Sequence, residues 1–215
     1  MQINSNISFK SRSSFIKDAD KLRRTVNREF PVVAVTKAAH EALDEVSSIK
    51  RFRDFITRKV NIIKDYREDR RYVKNPFIFY KNILYSTSKE KLGMCYEQSS
   101  LIELALRMNG INNCSKASLV DASGNLLNHS VVCIRTSNNP KKTVVIDPWL
   151  QDCGYLPEMI TKYKNEYSRY FAKNKTCSDI YLKQRKPQEL TPEQIDYFKE
   201  KYPNLVLKQK LFMQG

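Results

Sequence analysis

The sequence predicts an α+β protein: a helix that opens on a cysteine, packed on an antiparallel sheet, behind an N-terminal helical extension. Three observations carry this. Gly93-Met94-Cys95 runs straight into a segment where Cys95, Gln98/Ser99, Ile102 and Ala105/Leu106 recur at steps of three and four, and Gly110 follows as a stop. Downstream, 116–122, 127–136 and 143–147 are β-branched runs separated by the turn signals 121–125 and 137–141. Upstream, basic amphipathic patterns fill most of residues 1–75.

In chain order, Met1 to about Ser14 is polar and reads as a loose tail. Phe15 to Phe30 is a basic helix on Phe15, Ala19, Leu22 and Val26, ended by Pro31. Val32 to Val35 is a short apolar piece, and Thr36 is placed to cap a helix through Val46. Ser48 to Tyr72 sets Phe52, Phe55, Ile56, Val60 and Ile63 against a face rich in arginine; acids interrupt that face, so an ordinary packed helix is its first reading and phosphate or headgroup docking its second. Asn75-Pro76 marks a break. Phe77 to Tyr85 suits a short helix or strand beneath the cysteine, and Ser86 to Glu90 reads as a loop.

After the cysteine helix the three strands form a meander. Pro148 to Tyr155 is expected to fold back over its end, with Trp149 either a core plug or a wall of a cleft. Pro157 to Phe171 is helical, and Thr191-Pro192-Glu193 is a strong helix start for a segment ending before Pro203. The division expected is a helical extension over 1–75 and a core with C-terminal helices over 76–215.

Composition narrows the class. The chain has 215 residues, 41% of them hydrophobic, enough for one core. No apolar run approaches a membrane span, and no secretory signal peptide is visible. The five cysteines are scattered and odd in number, which points to free thiols in a reducing, cytoplasmic compartment and away from a zinc site; no cofactor is expected. The formal net charge of +15 suits an acidic partner, or simply a solvated basic surface. Nucleic acid and anionic membrane fit the charge, but no motif supports either.

A thiol in the first turn of a helix lies near unpaired N–H groups and the positive dipole end, which favour the thiolate. Such a nucleophile needs a base, and the chain offers two histidines. His40 sits among Glu41 and Asp44 on an expected helix surface, where a solvated role is the plain reading. His129 opens an alternating strand, and Asp147 closes the next one before Pro148. Hairpin connection makes the two spatial neighbours, so Asp147 is placed to orient the His129 ring.

This ordered set resembles the core of the transglutaminase-like superfamily, within the wider papain-like group of cysteine enzymes. The resemblance covers Gly93 to Trp149 and rests on Gly93-Met94-Cys95, the helix ending Leu-Arg-Met-Asn-Gly-Ile, Asn128-His129-Ser130-Val131 and Val145-Ile146-Asp147-Pro148. It implies Cys95 as nucleophile, His129 as base and acid, and Asp147 as orienter. It also implies chemistry on amide bonds or side-chain amides of a protein or peptide, as peptidase, deamidase or transglutaminase, or a relative that has lost activity. Papain-like enzymes often carry an oxyanion glutamine shortly before the cysteine, and this chain has none between Gln2 and Gln98. The Cys95 N–H supplies one donor; Asn82, Tyr80 and Tyr85 are open as the second, with Met94 and Trp149 as further cleft candidates. A basic, signal-less enzyme of this kind also fits an effector passed by a bacterium into a host cell, by analogy only. The alternative is an inactive binding module whose basic surface meets an acidic partner.

Overall fold

The structure is a computed structural model that describes residues 12–30, 33–34, 74–90, 92–170, 180–186 and 189–207. The helices expected over 36–46 and 48–72, His40 among them, lie outside the described residues, as does Cys177.

The first basic helix is present as α1 (Arg12–Glu29), with Ala19, Leu22 and Val26 buried along one stripe. β1 (Val33–Ala34) pairs in parallel with β2 (Leu92–Gly93), immediately before the cysteine. Between them runs α2 (Pro76–Glu90). The Asn75 side-chain oxygen accepts from the Phe77 N–H at 2.9 Å, and Pro76 takes the first helical position. α2 corrects the expected loop at Ser86–Glu90. Ser86 and Thr87 donate their hydroxyls to the Ile83 carbonyl, at 3.1 and 2.7 Å, so residues that usually signal a loop are satisfied inside the helix.

α3 (Cys95–Met108) has the expected start and stop. Gly110 adopts φ 83°, the Gly110 N–H bonds to Arg107 O, and the Ile111 N–H reaches back to Leu106 O. This paired pattern closes the helix and needs the left-handed conformation that glycine takes without a steric cost.

Five strands follow: β3 (Cys114–Asp121), β4 (Leu126–Arg135), β5 (Thr143–Asp147), β6 (Asp152–Tyr155) and β7 (Ile180–Gln184). All neighbours are antiparallel, in the order β6-β5-β4-β3-β7. The central meander is as expected. The two edge strands are additional: residues 152–155 do not simply fold back but pair with β5, and β7 pairs with β3. α4 (Leu156–Tyr170) and α5 (Pro192–Lys201) complete the chain, the latter with Thr191 and Gln194 in a reciprocal capping box.

The molecule is thus a mixed helix and antiparallel-sheet protein with helices on both faces of the sheet. One sheet face, through Cys114, Val132, Ile134, Val144 and Ile146, shares a core with α1, α2, α3 and α5. The other face, through Ala117, Leu119, Val131, Cys133 and Val145, packs on Met159 and Tyr163 of α4.

Candidate active site

The register of β4 and β5 opens a place for a site. Their pairing runs from Arg135–Thr143 to Val132–Ile146, so the first half of β4 extends past its neighbour. His129 lies on that extension and Asp147 is the last residue of β5. By strand alternation both share the face of Val131, Cys133 and Val145, the α4 side. α3 lies against the opposite face. The thiol and the imidazole therefore meet at the end of the β4–β5 ladder, where the sheet no longer separates the two layers.

His129 Nε2 lies 2.6 Å from Asp147 Oδ2, and both side chains are buried, at 5% and 0% exposure. A buried carboxylate needs full satisfaction. Asp147 Oδ1 accepts from the Trp149 and Leu150 N–H groups, each at 2.9 Å, which shapes the turn leaving β5. Burial on its own would raise the Asp147 pKa. The His129 charge and hydrogen bond, the Leu150 N–H and the Tyr163 hydroxyl outweigh it and hold the carboxyl below its usual range.

Burial likewise favours neutral His129. The Asp147 charge, the Asp147 hydrogen bond and a side-chain hydrogen bond with Cys95 overcome it and carry the ring up to about 10. With Nε2 engaged by Asp147, Nδ1 is the ring nitrogen left for the thiol. The imidazole is packed from both sides: the Trp149 ring meets it edge-on with centroids 5.4 Å apart, and the Tyr163 ring does so at 6.0 Å. Trp149 is half-buried, with its ring against His129.

Cys95 is the first residue of α3, half-buried, at the end where helical N–H groups lack intrahelical partners. The preceding Met94 is extended, and its N–H donates to the Glu97 carboxylate at 3.0 Å, fixing the entry to the helix. Ser99 donates its hydroxyl to the Ser130 carbonyl at 2.9 Å, tying α3 to the residue after His129. None of the four described cysteines is in a disulfide, and burial pushes the Cys114, Cys133 and Cys153 thiols to about 12. Cys133 shares the His129 face, as its strand alternation implies, but lies fully buried under the sheet. Among the described residues no cluster of His, Cys, Asp and Glu could hold a metal ion.

The structure therefore brings Cys95, His129, Asp147 and Trp149 together, with Met94 next in chain to the thiol. The remaining candidates lie on α2. Asn82 and Tyr85 are exposed, Tyr85 at 62%, and the buried Tyr80 hydroxyl is directed to Glu103. Glu103 is eight residues along α3 from Cys95, about 12 Å of helix rise. Two further residues of this region were not singled out from the sequence as site candidates. Tyr163 meets Asp147 only because α4 covers that face. Gln98 follows Cys95 by one turn on the same helical face, and its side chain is buried with no hydrogen-bond partner for Oε1 among the described residues. The helical face that Gln98 shares with Cys95 was legible in the sequence; the burial of its amide was not.

Comparison of the chain with family models, curated proteins and solved structures finds no match.

Proposed function

We propose that this protein is a cysteine-dependent enzyme of transglutaminase-like type, acting on amide bonds or side-chain amides of a protein or peptide. The observation that carries the reading is the continuous linkage from Cys95 through the His129 ring to the buried Asp147, with Nε2 and Oδ2 2.6 Å apart. The chain order of these residues on a helix and two antiparallel strands is what links them to that superfamily.

In this mechanism Cys95 gives its proton to His129, and the Asp147 carboxylate stabilises the imidazolium and fixes the ring. The thiolate adds to the amide carbonyl carbon. Oxyanion charge develops beside the Cys95 N–H, with the Gln98 side-chain amide, one turn along the same helix, offered as a second donor. The tetrahedral adduct then expels the amine, which takes the proton from His129, and leaves a thioester on Cys95. Water resolves the thioester in proteolysis or deamidation, and a second amine resolves it in crosslinking, His129 acting as base in either case. Free thiol chemistry of this kind suits a reducing compartment.

The test is the rate of iodoacetamide labelling at Cys95 across pH, read by peptide mass spectrometry, in wild type and His129→Ala. Labelling that stays fast at mildly acidic pH and loses this in the variant supports the reading. Equal, ordinary thiol profiles in both move the chain to the alternative, a binding module with the same fold.

A further inference from the structure

On the α3 side of the sheet an exposed cation packs on Tyr96, the residue after Cys95. β7 is an edge strand, and Ser118 of β3 faces Lys183 across the register. Residues at opposed positions share a face, so Lys183 and Arg185 project on the α3 side of the sheet. Arg185 sits just past the end of β7. Its backbone N–H bonds to Lys116 O at 2.8 Å, and its Nε and Nη2 donate to Ser118 Oγ at 3.2 and 3.0 Å. The guanidinium carbon stands 5.2 Å from the centroid of the Tyr96 ring.

Two of these anchors adjoin neighbours of Cys95 and His129. Tyr96 follows Cys95 in the chain. Ser118 pairs with Ser130, the residue after His129 and the acceptor for Ser99. The Tyr96 ring is itself fixed. Buried Lys116 stands 4.5 Å from its centroid and 4.4 Å from that of Phe79, and Lys116 donates to Ser100 at 2.9 Å. Lys116 also lies 3.9 Å from Glu103, so its charge has an internal partner. Arg185 differs: it is exposed, no carboxylate pairs with it among the described residues, and Nε and Nη2 share the one hydroxyl of Ser118. A planar fork held on an aromatic face is suited to a carboxylate.

We infer that Arg185 forms a carboxylate-binding subsite next to Cys95, so that the enzyme prefers amides flanked by an aspartate or glutamate side chain. This rests on the proposed thiol chemistry and names its substrate class. Arg185 is a specificity residue in this scheme and takes no part in bond making. Lys183, exposed one pleat away, adds positive charge to the same approach.

The test uses two electrophiles, the amides N-iodoacetyl-glutamate and N-iodoacetyl-glutamine. The Cys95 thiolate displaces iodide from each and forms a thioether, and the two differ in one side-chain charge. The ratio of their labelling rates is taken within each protein, which cancels any change in thiol reactivity. Wild type should favour the glutamate probe about threefold, the scale of one exposed ion pair. Arg185→Gln should bring that ratio to about one. Lys141→Gln removes a charge from the turn at the other end of β4, and its ratio should match wild type. A wild-type ratio of one, with Cys95 still labelled fast by iodoacetamide, overturns the subsite and leaves the chemistry standing. An equal drop in both variants also overturns it, since net charge would then account for the preference. Slow iodoacetamide labelling that His129→Ala does not change overturns the parent reading instead.

Discussion

At the scale of single residues, the decisive feature is a buried histidine whose protonated form the fold supports. Burial opposes the imidazolium, and the fold answers with the Asp147 carboxylate, itself held by two backbone N–H groups. The two partners place their stabilisation in different pH ranges. His129 is raised from 6.5 to about 10, so its contribution is complete below about 6.5 and is lost as pH climbs through about 10. Asp147 is lowered from 3.8, so its contribution stands above that value and is lost as pH falls through the folded-state value. The expected titration of His129 in wild type, followed by imidazole nitrogen NMR, has its midpoint near 10. Asp147→Asn removes the charge but keeps the burial, so the midpoint should fall well below that of wild type. A wild-type midpoint at or under 6.5 would show that the pair is neutral and would remove the preformed ion pair from the mechanism.

Elements decide whether these residues meet, and the most telling contact is the Ser99 hydroxyl on the Ser130 carbonyl. The β4–β5 ladder ends at Val132–Ile146, so Ser130 has no β5 residue opposite, and α3 supplies a donor in its place. Ser99→Ala should cost about 1–3 kcal/mol in chemical denaturation, the penalty for leaving a buried acceptor unsatisfied. It should also slow Cys95 labelling by iodoacetamide, since the helix start is no longer pinned to the histidine strand. Unchanged stability would mean that water replaces the hydroxyl. The same scale explains what the sequence revealed and what it hid. The Gly93–Gly110 helix was legible because its apolar spacing, start and glycine stop agree, and the central strands because β-branched runs are bounded by turn residues. β6 was hidden because Asp152-Cys153-Gly154-Tyr155 is short and contains glycine, and β7 because Ile180–Gln184 is a brief, lysine-bearing edge strand. Both are read as strands only once β5 and β3 offer an edge to pair with. The meeting of Cys95, His129 and Asp147 was therefore available from order and spacing alone. The placements of Tyr163 beside Asp147 and of Arg185 beside Tyr96 were not, because they arise from contacts between elements.

For the whole molecule the controlling quantity is charge. Lys and Arg number 38 against 23 Asp and Glu, a formal net charge of +15. Such an excess works against the compact state through self-repulsion. Among the described residues, most ion pairs that offset it are local helical pairs or buried pairs, with Lys162–Asp152 an exposed pair between β6 and α4. Arg23–Asp20, Arg24–Asp20 and Lys199–Asp196 are local helical pairs one turn apart, worth a few tenths of a kcal/mol each. His129–Asp147 and Arg107–Glu103 are buried, where added salt screens little. Salt therefore removes mainly repulsion. Raising NaCl from about 0.05 M to about 0.5 M shortens the screening length from over 10 Å to under 5 Å. The expected response is a gain of about 1 kcal/mol, read as a rise in Tm of about 2–4 °C for a chain of this size. The same salt should weaken general attraction of acidic ligands while leaving a guanidinium–carboxylate contact at Arg185 partly intact, because that contact is short-ranged. A Tm that falls with salt would mean that surface pairs outweigh repulsion, and the basic excess would then be arranged in attractive networks and not spread as a field.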